Sequence, residues 1–334
     1  MTGDAWEAIE ARSVRECIPL RGVIELLYAC QFRCGFCYLD RKRDDPVRLD
    51  RTQCRTIFGR LRRAGTLVLS FTGGEPFLHP DLAGILADAR AGHFAVRLFT
   101  NGALIDDAAA AMLAGIQPLL VDLSLYGATP AVYGRVTGAA VHFQAVMHGL
   151  DLLARHRVST VVKIVIHRDN AEELPAMEAL ARARGFSTVV TPLLTPTDCG
   201  DRSPCGLMLD DAGLRDFFRD RPAAPVRRGT EEILCTSGRN GFVIAPNGDV
   251  LPCIQVRRPV GNILAEEMTA IWNGVPHPDL AAIRALRFKD MAVCTGCADA
   301  PHCFICPGLA GMASGRITGI DPAVCRITRA VRGA

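Results

Sequence analysis

Short apolar runs alternate with stretches of helical spacing through the first two-thirds of the chain. Val23–Leu27, Thr66–Phe71, Ala95–Phe99, Leu119–Leu123, Thr160–Ile166 and Ser187–Leu193 read as strands. Between them, Asp50–Ala64, Asp81–Ala91, Asp106–Ala114, Phe143–His156 and Ala171–Arg184 repeat apolar residues at the helical period, with Asp50 suited to an N-cap. Strands that are apolar throughout are buried on both faces. Joined by helices, they predict βα units and a parallel sheet, an α/β fold. In such sheets the functional residues sit on loops at the strands' C-terminal ends. Here each polar motif directly follows a strand run.

The pattern changes at Thr195–Pro225, where Pro196, Pro204, Pro222 and Pro225 punctuate a charged stretch. This reads as a linker with a short helix near Asp211–Arg219. Beyond residue 232 the periodicity is irregular and cysteines are frequent, as expected of a small domain stapled by metal. Gly241–Val250 reads as a hairpin that turns at Asn247-Gly248, which would bring Cys235 and Cys253 together. The most apolar stretch, Ala108–Leu125, is interrupted by Gly115, Gln117, Pro118 and Asp122 and does not read as a membrane span. Met1–Arg15 is polar, without the apolar core of a signal peptide. A cytoplasmic location without a membrane partner is the expectation.

Composition narrows the chemistry. The chain has 334 residues, enough for two domains, and 49% of them are hydrophobic. Lys plus Arg number 38 and Asp plus Glu 35, so no bulk charge argues for nucleic acid. Fourteen cysteines without an export signal point to metal or catalysis rather than disulfides. Ten of them fall in two groups, Cys30–Cys37 and Cys235–Cys325.

The first group, Cys30, Cys34 and Cys37, has the spacing C-x3-C-x2-C directly after the first strand run. Three thiolates on one loop would hold three irons of a [4Fe–4S] cluster and leave the fourth open to a ligand. A zinc knuckle is the competing reading, but zinc favours four protein donors. Gly73-Gly74-Glu75 ends the second strand run, where glycines allow close backbone approach and Glu75 could accept from an ammonium group. Thr100-Asn101-Gly102 and Ser124 end the third and fourth, although Asn101-Gly102 reads equally as a turn. Lys163 interrupts the apolar fifth strand and needs an anion or a route to water. Arg135 is a second cation that could hold a carboxylate.

These motifs together resemble the radical S-adenosylmethionine (SAM) family. The resemblance implies a partial (β/α)6 TIM-like barrel. It also implies that Cys30, Cys34 and Cys37 carry the SAM cluster and that Gly73, Gly74 and Glu75 bind the SAM amino group. Ser124 would be a further contact, Phe36 would lie beside adenine, and Arg135 or Lys163 would pair with the carboxylate. The C-terminal pattern runs Cys235-x12-Gly248-x4-Cys253, then Cys294-x2-Cys297-x5-Cys303-x2-Cys306, then Cys325. It resembles the SPASM domain, with C-x2-C where C-x3-C is usual. By that resemblance Cys294, Cys297, Cys303 and Cys325 hold one auxiliary iron–sulfur cluster. Cys235, Cys253 and Cys306 hold another, with one ligand to be supplied or one iron open. Paired zinc sites are the alternative.

The implied organisation is an N-terminal segment 1–22, a radical SAM core 23–200, a linker 201–232 and a SPASM domain 233–334. The implied activity is an oxidoreductase that makes a 5′-deoxyadenosyl radical and modifies or crosslinks a ribosomally made peptide by hydrogen abstraction. Ser124-Leu125-Tyr126-Gly127, followed by Arg135-Val136-Thr137-Gly138, looks closest to peptide maturases of the pyrroloquinoline quinone type. A small-molecule dehydrogenase and a non-enzymatic electron carrier are the other classes. About 22 residues precede the first strand run, so a peptide substrate is expected to arrive on a separate chaperone, and a flavodoxin or ferredoxin to supply electrons. Cys199 and Cys205 flank a turn after the sixth strand run, and their role is open; Cys17 and Cys54 read as structural thiols.

Overall fold

The structure is a computed structural model that describes residues 3–39, 44–221, 225, 229–275 and 277–333. Six parallel strands come in chain order: β1 (Arg21–Glu25), β2 (Val68–Thr72), β3 (Ala95–Thr100), β4 (Leu120–Ser124), β5 (Thr160–Val165) and β6 (Ser187–Thr191). Helices Arg51–Arg63, Leu82–Ala91, Asp107–Ile116, Pro130–Thr137, Phe143–Arg155 and Leu174–Arg182 connect them. The six βα units are those the apolar runs predict. Helix Arg51–Arg63 starts at the expected residue. Asp50 accepts from Gln53 N, and the Gln53 side chain accepts from Asp50 N, a reciprocal cap. Ile24, Phe71, Leu98, Leu123 and Ile164 are fully buried between the sheet and helix residues such as Ile57, Leu86, Leu113 and Leu150.

Strand edges differ from the sequence reading by about two residues. β2 begins at Val68 rather than Thr66, because Thr66 serves the preceding helix end: its N–H donates to Leu61 O and its hydroxyl to Pro19 O.

The sheet does not end at β1. The hairpin β7 (Gly241–Ile244) and β8 (Asp249–Leu251) forms as predicted, with Gly248 at φ +88° in its turn. β7 then pairs in parallel with β1, Arg21 opposite Gly241. With β9 (Gly261–Asn262) the result is one nine-stranded sheet, in the order β6-β5-β4-β3-β2-β1-β7-β8-β9. The stretch read as a linker is also packed in part. Met208, Leu209, Leu214 and Phe217 join the main core, and helix Asp211–Arg219 lies against helix Pro322–Arg332, with Arg326 donating to Asp211 at 2.8 Å. Pro222 lies outside the described residues. At the cysteine-rich end Leu286, Phe288, Met291, Ala300 and Ile305 form a small separate core, and Val243, Ala245 and Leu251 another.

One ion pair joins these parts. Glu25, the last residue of β1, is fully buried. Arg257, which follows the cysteine at 253, donates to both of its oxygens at 2.8 Å. The Tyr38 hydroxyl, next to Cys37, donates to Glu25 Oε1 at 3.0 Å. Burial, and then the charge of Glu25, hold the Tyr38 phenol well above its ordinary value, so it keeps the proton it donates. Removing one member of such a pair strands a buried charge. Arg257→Ala is expected to lose about 3–5 kcal/mol of stability, read as a lower urea midpoint. An unchanged midpoint would show that water reaches Glu25.

Candidate active site and cluster sites

The loop after β1 carries the first cysteine group, and the end of β2 is pressed against it. Gly74 N donates to Leu27 O and Glu75 N to Ala29 O, both at 2.9 Å. Only glycine allows this approach. A Cβ on Gly73 would stand 2.1 Å from Leu27 O, and one on Gly74 2.1 Å from Ala29 O. Gly73 also has φ +137°, which side chains disfavour.

Cys30, Cys34 and Cys37 line a single cavity of about 290 Å³. The ends of the other strands complete it: Gly73 and Gly74 after β2, Thr100 and Asn101 at β3, Ser124 at β4, Val165 at β5, and Leu193 and Leu194 after β6. Phe36 lines it too, its ring 5.2 Å from Tyr126 and 5.3 Å from His167. Asn101 stands beside the first cysteine, with Nδ2 3.9 Å from Cys30 Sγ, and accepts from Gln31 Nε2 at 3.1 Å. Three thiols on one loop, beside a cavity whose glycines leave backbone exposed to a ligand, fit a cluster with one iron open to SAM.

Glu75 has polar partners of its own. It is fully buried and does not line the cavity. Its carboxylate accepts from Thr100 Oγ1 and Asn101 N at 2.7 Å and from Phe77 N at 3.1 Å. It therefore ties the end of β2 to the end of β3 and sets the backbone that faces the cavity. Burial pushes its carboxyl up to about 7, against the pull of those three donors. Lys163 also has a counter-ion of its own: it lies 3.6 Å from the fully buried Asp122, which Arg97 engages at 2.8 Å. Its ammonium sits over the Phe99 ring at 5.6 Å. The anion it requires is met within the sheet. Arg135 donates to Asp169 O at 2.7 Å. Neither cation lines the cavity.

The C-terminal thiols lie close together, and Cys306 shares a small cavity with Cys294, Cys303 and Cys325. Cys294, Cys297, Cys303 and Cys325 line one small cavity with Asp299 and Arg329. Burial, then the Cys303 thiol, push Cys325 up. Cys306 is pushed up to about 11 by burial, with Cys253 and Cys235 acting the same way, so these three are neighbours. His302 Nδ1 is buried without a hydrogen-bond partner among the described residues. Cys205 Sγ donates to Leu194 O at 3.7 Å, and Cys199 lies 3.1 Å from Thr197 Oγ1. Cys199 also lines a groove of about 570 Å³ with Gln255, Arg258, Gly308, Met312 and Arg316. Of the two thiols read as structural, Cys54 is buried in its helix, and burial pushes it up to about 12.

The Glu25–Arg257 pair and the buried Tyr133 were not singled out from the sequence. Glu25 did carry a signal, an acid within an otherwise apolar strand run. Tyr133 carried none, because a tyrosine at helical spacing reads as core.

A three-cysteine loop and a glycine motif at the C-terminal ends of the parallel strands β1–β6, followed by a second set of thiols, define a radical SAM enzyme with auxiliary clusters. Family comparison agrees. The radical SAM superfamily matches residues 24–181, and the SPASM iron–sulfur cluster-binding domain matches residues 235–298. The chain belongs to the radical SAM superfamily, and its cofactors are SAM, a [4Fe–4S] cluster and auxiliary iron–sulfur clusters. It is 30% identical over 273 residues to the mycofactocin maturase MftC of Mycobacterium ulcerans, covering 75% of this chain and 74% of that one. It is 27% identical over 289 residues to the PqqA peptide cyclase of Streptomyces rochei, covering 76% and 75%. Among solved structures, SuiB of Streptococcus suis bound to its precursor peptide SuiA superposes with a TM-score of 0.73 at 18% identity, covering 96% of this chain and 79% of that one. No helix among the described residues is long and apolar enough to cross a membrane.

The position of Glu75 makes a pH prediction. Its folded value, about 7, lies above the ordinary 4.5, so the folded state binds the extra proton. The stability this gives is full below about pH 4.5 and is lost as pH rises through about 7. Urea titrations should show that fall. Glu75→Gln should flatten it and cost roughly 1–3 kcal/mol, because an amide cannot accept from all three donors. A slope equal to that of the wild type in the variant would assign the pH dependence to another group.

Proposed function

We propose that the chain uses Cys30, Cys34 and Cys37 to hold its SAM cluster and acts on a ribosomally made peptide. One observation carries the reading: the three thiols and the ends of six strands converge on one cavity. When bound, the cluster and SAM supply a reductive cleavage that yields a 5′-deoxyadenosyl radical able to take a hydrogen atom from a substrate carbon. The residues do the rest. The backbone of Gly73 and Gly74, held by Glu75, presents polar groups to the SAM amino acid end. Ser124 contacts its polar atoms, and Phe36 packs beside the adenine. Phe99, Val165, Leu193 and Leu194 form an apolar wall that excludes water and positions one C–H bond.

A peptide substrate is supported by what the relatives are called, a mycofactocin maturase and a PqqA peptide cyclase, and by the precursor peptide bound to SuiB. The groove beside Cys199 has room for a peptide segment next to the chain at Cys253 and Cys306. Cys294, Cys297, Cys303 and Cys325 hold one auxiliary cluster, and Cys235, Cys253 and Cys306 the other, which keeps one iron open. A separate peptide-binding chaperone and a flavodoxin or ferredoxin complete the system.

Anaerobically reconstituted protein is expected to carry about eleven or twelve irons, as three [4Fe–4S] clusters. With dithionite it should release 5′-deoxyadenosine from SAM. Replacing Cys30, Cys34 and Cys37 by Ala should remove about four irons and abolish that release. Two tightly bound zincs in the C-terminal segment would sink the auxiliary-cluster assignment.

Cys199→Ser with Cys205→Ser tests the open iron separately. Iron content should stay at the wild-type level. Loss of a cluster's worth of iron would make one of these thiols a ligand.

A further inference from the structure

β6 (Ser187–Thr191) is the last strand on its side of the sheet, and among the described residues no strand pairs with its outer edge. One bond fixes which way its backbone groups point. Thr191 O accepts from Ile166 N, just past β5, at 2.9 Å. Successive residues of a strand turn their N–H and C=O groups to opposite edges. Ser187 and Val189 therefore face β5 as Thr191 does, and Thr188 and Val190 face outward.

An open edge is a template for another strand, and proteins blunt it with charge, proline, a bulge or shortness. The opposite edge of this sheet is blunted, because β9 has only Gly261 and Asn262. β6 reads Ser-Thr-Val-Val-Thr, uncharged and mostly β-branched, with Ser187 and Val189 exposed. It carries none of those devices.

The edge also leads to the cavity. Ser124, Lys163 and Val189 stand opposite one another across β4, β5 and β6, so Val189 shares the face of the cavity-lining Ser124. Thr191 stands opposite Val165, which lines the cavity, and Leu193, Leu194 and Thr195 continue the chain along the cavity wall.

We propose that the outer edge of β6 receives the peptide substrate as an added strand. Its backbone pairs with Thr188 and Val190, and every second side chain turns to the face of the cavity. The inference rests on the reading that this chain acts on a peptide. In such pairing main-chain hydrogen bonds supply the affinity, and the alternate side chains supply the selectivity.

The test uses the full reconstituted chain with SAM bound, under anaerobic conditions. Hydrogen exchange, read by mass spectrometry of fragments across Ser187–Thr191, should be fast at Thr188 and Val190 in the free protein. Slow exchange there before any peptide is added would mean that this chain or a second copy already covers the edge, and overturns the inference. The probes are short peptides selected for binding from a randomised displayed library. With such a peptide bound, exchange at Thr188 and Val190 should slow. Methylating the peptide's backbone nitrogens one at a time should weaken binding roughly tenfold at every second residue and little between, since only alternate N–H groups face β6. Binders that leave these amides fast, or losses without that alternation, overturn the inference alone. Thr188→Pro removes one outward donor and should weaken the same peptides, and equal affinity in an iron-replete variant overturns the inference. If that variant loads less iron, the methylated series decides. A library that yields no binder overturns the peptide reading as well.

Discussion

The buried pair between Glu25 and Arg257 is the interaction on which the arrangement depends. A carboxylate at the end of β1 has no water to solvate it and must be matched in place. Its match comes from the chain just after Cys253, and Tyr38, just after Cys37, supplies the third contact. A guanidinium bound through two nitrogens fixes orientation as well as distance. The sheet, the loop that carries Cys30, Cys34 and Cys37, and the chain after Cys253 are thus set against one another by one group.

The same economy of charge runs through the sheet. The acids of its parallel strands are Glu25 and Asp122, and each faces cations from within the chain. Glu75, just beyond β2, spends its oxygens on backbone and hydroxyl donors. The cavity wall is left with thiols, hydroxyls, an amide and apolar rings. Such a wall keeps the local dielectric low and offers a reactive carbon-centred species few protein charges to meet.

Much of this was legible in the chain. Six βα units followed from apolar runs and helical spacing, because both periods report burial directly. The Asp50 cap and the Asn247-Gly248 hairpin followed from local chemistry. What was not legible depends on contacts between distant residues. The pairing of β7 with β1 leaves no mark in either strand, since an edge strand and an interior one can share one apolar pattern. Lys163 announced its need for an anion but not that Asp122, on the neighbouring strand, would supply it. Glu75 lay at the expected motif, yet its side chain turned toward Thr100 and Asn101, because a fully buried carboxylate goes where donors already are. Tyr133 was hidden because nothing distinguishes a core tyrosine from one whose hydroxyl lacks a partner until the packing is known.

The β1–β7 pairing also bears on how the chain is made. β1 leaves the ribosome early, but one of its two neighbours is more than two hundred residues away in sequence. Until that neighbour is synthesised, β1 is an apolar strand with one open edge, the kind of surface that pairs with other chains. Contacts so distant in sequence form slowly, and intermediates that wait for them are prone to association. The sheet cannot be completed before β7 emerges, so a segment made much later is the natural guardian of β1.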